Sequence, residues 1–76
     1  MKKTIEICNA WLIENGITDL VFKPKRTDYF GTVVGLYEKG EKRDCCIMHS
    51  PAWGELTAAV CKDYNLDYSK RPELVY

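Results

Sequence analysis

Four side chains in the second half of the chain are of the thiol and imidazole types that do chemistry: Cys45, Cys46, His49 and Cys61. Thiolates and imidazoles are the ligands of structural zinc, and a thiol beside an imidazole is the beginning of a nucleophile. Their spacing fits neither. Zinc sites draw ligand pairs about two to four residues apart on turns, so that the donors converge on one ion. Cys45 and Cys46 are adjacent, and neighbours on a strand point to opposite faces. Cys45 and His49 share a face in a regular strand but lie about 13 Å apart along it, too far for one to activate the other. No nucleophile elbow, HExxH pair or phosphate-cradling glycine loop occurs. The expectation is therefore no metal, no cofactor and no catalytic residue, with the four cysteines as reduced thiols packing as small hydrophobes.

A second cluster raises a binding question. Lys23-Pro24-Lys25-Arg26 puts three cations just ahead of Tyr29 and Phe30. Such a run is a solvated turn or a surface for an anionic ligand, and the charge of the whole chain does not choose between them. Eleven Lys and Arg balance eleven Asp and Glu, so any attraction to nucleic acid or to an acidic protein has to be local.

At 76 residues the chain is one domain with one core. A chain of this length buries only about 60% of its unfolded surface, so its stability is marginal. Hydrophobic residues at 46% and charged residues at 29% give a globular balance. Glu6 and Asn9 interrupt the N-terminal stretch, which predicts no secretory leader, and Ala10 to Ile13 is far too short to span a bilayer. A soluble, cytoplasmic chain with no membrane partner is the expectation.

These groups must be positioned by few elements. Ile5, Cys8 and Leu12, widened by Ile7 and Trp11, recur at helical spacing from Lys3 to Asn15. Gly16 follows as a left-handed cap, and Ile17 stands where a Schellman motif makes its apolar contact. "TDLVFK" reads as a short strand halted by Pro24. "YFGTVVGLYE" and "RDCCIMH" flank "KGEK" as a hairpin with a loop of two or three residues. Its register puts either Cys45 and Ile47 or Cys46 and Met48 toward the core. Ser50 as N-cap and Pro51 as first helical residue open a second helix whose apolar face is Trp53, Leu56, Val60 and Tyr64. The reading is α+β, in the order α-β-β-β-α, with a three-stranded antiparallel sheet and both helices on one face. Residues 1–66 form the domain, and 67–76 a tail partly packed through Leu66.

Two surfaces then become candidates. In an up-down-up meander the first strand ends where the third ends. Lys23, Lys25 and Arg26 are thereby expected beside His49, Ser50 and Trp53, where the second helix offers free N–H groups to an anion or an acidic partner. The other surface is the sheet face left bare by the helices. With Phe30, Val34 and Leu36 inward, Tyr29, Val33 and Tyr37 point outward, on a face that Gly31 and Gly35 keep flat. Aromatic residues of this kind are enriched at protein interfaces.

The order of elements resembles that of the double-stranded-RNA-binding domain, and also that of HicA-type toxin ribonucleases. The first resemblance implies RNA contact through the Lys23–Tyr29 loop and the helix start. Where that family opens its second helix on lysines, this chain reads "SPAWGEL", with Glu55. Where the toxins open their second strand on histidine, it has Asp28, Tyr29 and Phe30. The first expectation is a small non-enzymatic protein that docks on a larger protein, an inhibitor or adaptor of phage or mobile-element type, counter-defence-like in character. An RNA-binding module using the basic end, with nucleic acid as the partner, stands second, and a degenerate HicA-like ribonuclease third.

Overall fold

The computed structural model describes residues 2–72. Helix α1 (Lys2–Glu14), strands β1 (Leu20–Thr27), β2 (Gly31–Glu38) and β3 (Cys45–Ser50), and helix α2 (Trp53–Tyr64) follow in that order. A single 3-10 turn, Tyr68–Lys70, comes last. The strands form one antiparallel sheet in the order β1-β2-β3, as the sequence predicts for an α+β chain.

Both helices cover the same face. Leu20 and Phe22 of β1 and Val34 and Leu36 of β2 meet Cys8, Trp11 and Leu12 of α1 and Leu56, Val60 and Cys61 of α2 in one core. Leu12, Phe22 and Leu56 are almost wholly removed from water. Each such side chain stabilises the fold by about 1.5–3 kcal/mol relative to exposure. Tyr64 departs from the expected apolar face. It is 39% exposed and donates its hydroxyl hydrogen to Asp19 Oδ2 at 2.8 Å, while Thr57 and Cys61 take the buried positions.

The end of α1 is built as its sequence predicts. Gly16 adopts φ +72°, Ile17 N–H donates to the Leu12 carbonyl at 3.0 Å, and Gly16 N–H donates to that of Ile13 at 3.0 Å. These are the paired bonds of a Schellman motif, and buried Ile17 supplies its apolar contact. Asn65, at φ 54°, is the left-handed cap of α2, with its own N–H and that of Leu66, at 2.9 Å, both on the Cys61 carbonyl and Leu66 packed on the core. The chain then turns back. Asp67 accepts from Ser69 N–H at 3.0 Å, and Arg71 reaches the Gly54 carbonyl at 3.0 Å with its guanidinium 3.7 Å from the Tyr68 ring centre. The last residues of the expected tail, 73–76, lie outside the described residues.

Three local features depart from what the sequence predicts. Pro24 does not halt β1, which continues to Thr27. The reason is parity on an edge strand. Phe22 directs its N–H and C=O away from β2 and onto the side chain of Asn9, at 2.7 and 2.9 Å. Pro24, two residues on, has the same parity, so the N–H it lacks would not have bonded β2. Next, the β2–β3 loop has six residues, 39–44, rather than two or three. Gly40 is required there, because a Cβ would collide with the Arg43 carbonyl oxygen. Finally, Ser50 is not the N-cap of α2. That position is Ala52, and the Ser50 hydroxyl accepts from Ala52 N–H and donates to Glu55 Oε2, each at 3.0 Å.

Candidate docking surface

Register decides where the basic residues go. Lys23, Lys25 and Arg26 belong to β1 itself, not to a loop, and alternate across the sheet. Lys23 and Lys25 pair with Gly35 and Val33 on the face away from the helices, whereas Arg26 shares the parity of Phe22. His49 lies across Gly35 from Lys23, on the same rung. Two strand spacings put these Cα atoms about 10 Å apart. Lys23 does not turn toward His49. Its ammonium sits 5.5 Å from the Tyr37 ring centre and pairs with Asp44, whose carboxyl it holds below the usual range.

The expected convergence on the start of α2 therefore does not form. Ser50 is buried on the helix side, opposite Val34, and Trp53 packs against the core instead of lying flat to solvent. Glu55, in the first turn of α2, supplies the carboxylate that the free N–H groups attract. This end already holds its own anion.

The bare face is less open than its glycines suggest. Tyr37 folds over Gly35: a Cβ there would stand 2.8 Å from Tyr37 Cε1 and 3.0 Å from Lys25 Cβ. Val33 does turn away from the helical core, yet it is only 4% exposed. An acidic side chain at Val33 would bury a charge, so the centre of this face is structural. No position of this parity in β1 or β2 carries a carboxylate.

Strand β3 follows neither expected register. A bulge between Leu36 and Tyr37 sets Met48 opposite Leu36 and Cys46 opposite Tyr37. It is Cys46, not Cys45, that shares the face of His49. Ile47 and Met48 stay 50% and 38% exposed. Cys8 and Cys61 are the buried thiols, and burial pushes Cys8 up to about 11 and Cys61 upward.

Among the described residues the most exposed aromatics lie at the tip of the first hairpin. Tyr29 and Phe30, expected in the strand with Phe30 inward, occupy the turn and are 94% and 64% exposed. The turn is tightly built. Thr27 pairs with Gly31 across a three-residue loop, its hydroxyl donates to the Gly31 carbonyl at 2.8 Å, and Phe30 N–H donates to that hydroxyl at 3.0 Å. Gly31 takes φ +67°, the left-handed residue that closes such loops. The rings stand 6.5 Å apart at 47°. The signal in the sequence was Asp28 followed three residues later by Gly31, obscured by the strand preference of Tyr and Phe.

Among the described residues no helix is long and apolar enough to cross a membrane, and no group of three or more His, Cys, Asp or Glu is placed to hold a metal. No protein-family model, curated protein or solved structure matches the chain.

Proposed function

We propose that this is a small cytoplasmic binding protein without catalysis that docks on a larger protein, as inhibitors and adaptors of phages and mobile elements do in counter-defence. The observation that carries this reading is the Tyr29–Phe30 pair, side by side and in water on a pinned turn. Aromatic and Arg side chains dominate the centres of protein interfaces, and a turn already ordered costs little entropy on binding. Lys25 and Arg26 stand just below the tip on opposite faces of β1, and Tyr37 continues the bare face. The partner that fits is a protein with an apolar pocket rimmed by carboxylates.

Affinity capture from the native host, with and without nuclease, tests the class of partner. One stoichiometric protein retained after nuclease supports the reading, and loss of every partner after nuclease opposes it. A second reading, RNA binding, is favoured by Lys25 and His49 on the bare face, with Lys23 beside them though paired with Asp44. Three phosphate contacts would give a log–log salt slope of about −3, flattened by replacing Lys23, Lys25 and Arg26 with Ala. An acidic protein partner would instead bind that triple variant with slower association.

A further inference from the structure

The sheet has two edges, and among the described residues only one is defended. At β1 the Asn9 side chain occupies both the N–H and the C=O of Phe22, Pro24 removes a further donor, and three cations line the strand. Proline and charge are the usual means of keeping an edge from pairing with another chain. At β3, "CCIMHS", there is no proline and no Lys, Arg, Asp or Glu. Ile47 and Met48 are half in water, and no described strand pairs on the far side. Antiparallel alternation fixes the backbone. Phe22 turns away from β2, so its opposite number Leu36 bonds β3, and Met48 bonds back; His49 then presents its N–H and C=O outward.

We propose that β3 is a self-association edge, on which a second copy of this chain pairs antiparallel, β3 against β3, to make a two-fold dimer with one continuous sheet. The occupant follows from charge. Two uncharged copies of one strand place no like charges opposite each other, and the whole chain carries no net charge to hold the copies apart. The same arrangement at β1 would oppose lysines. Parity then places the axis. Paired residues must share a face of the sheet, so Met48 meets Met48 of the second copy on the axis, and His49 meets Ile47. The outward groups of His49 thereby gain partners. The bulge at the Cys46 end keeps the new ladder short, so the dimer is reversible and depends on concentration.

Sedimentation velocity across a range from micromolar to millimolar, in excess reductant, tests the proposal. Wild type passes from monomer to dimer as concentration rises. Ile47→Lys, at an exposed position, weakens the dimer at least about tenfold, since edge lysines block pairing, while its melting curve matches wild type. His49→Pro removes only an outward N–H and weakens the dimer as well. Docking by the Tyr29–Phe30 tip is unaffected by Ile47→Lys, which separates this proposal from that reading. A wild type that stays monomeric throughout, a dimer that vanishes in reductant, or a dimer untouched by Ile47→Lys would each overturn the proposal.

Discussion

Phe22 and Phe30 sit in the same hairpin and on the same parity, and they meet opposite fates. Phe22 is 1% exposed beneath α1, and Phe30 is 64% exposed in the turn. The side chains are identical, so the difference lies in what covers them. α1 crosses β1 at Phe22, where Asn9 also holds the backbone. Thr27 and Gly31 close the hairpin before Phe30 can join the ladder. One end of the hairpin spends its aromatic on stability, and the other leaves its aromatics available to a partner.

Truncating the two rings should have very different consequences. Phe22→Ala is expected to lose about 3–5 kcal/mol, which rivals the whole stability of a small domain. Chemical denaturation should show little or no folded baseline. Asn9→Ala comes next, at about 2 kcal/mol, because it strands the Phe22 N–H and C=O at a partly buried edge. A shift of the urea midpoint without a change in slope would measure it. An Asn9→Ala variant as stable as wild type would mean that α1 does not need this clamp.

Alkaline pH probes the same covered end more gently. The Cys8 thiol is fully buried, and burial pushes it up to about 11 from 9.0. Below pH 9 it is neutral in both states and its contribution is fully present. As pH rises from 9 toward 11, the unfolded thiol ionises while the folded one stays protonated, so stability falls across that window. Urea midpoints measured along this range should decline, and Cys8→Ala should flatten the decline. Tyr64, pushed up from 10.0 by its bond to Asp19, adds a loss that begins above pH 10.

Much of the covered end was legible in the sequence, because local chemistry there agrees with the fold. Gly16 followed by Ile17 specifies a helix end, and the stripe of Cys8 and Leu12 specifies a buried face, without reference to distant residues. The hairpin and its edges were not legible to the same degree. Pro24 reads as a stop until one knows that β1 is an edge strand with that parity outward. Tyr29 and Phe30 read as strand by propensity, and only the left-handed Gly31 marks the turn. The bulge near Ile47 has no sequence signal, yet it decides which of Cys45 and Cys46 joins His49. The anionic role of Glu55 depends on where α2 begins, which shifts by two residues once Ala52 replaces Ser50 as the cap. The basic cluster was visible as charge, but alternation on a strand dispersed it over both faces.

The smallest expected effect on stability belongs to the tip, and it carries the largest expected effect on binding. Tyr29→Ala with Phe30→Ala should shift the melt by no more than about 0.5 kcal/mol, as exposed surface substitutions do. The direct measurement uses this double variant and wild type as paired baits in nuclease-treated lysate of the native host, with recovered proteins quantified by mass spectrometry. One stoichiometric protein is expected on wild type, lost from the variant although the variant is folded. Equal recovery of that protein on both baits would contradict the assignment of the hairpin tip as the docking site.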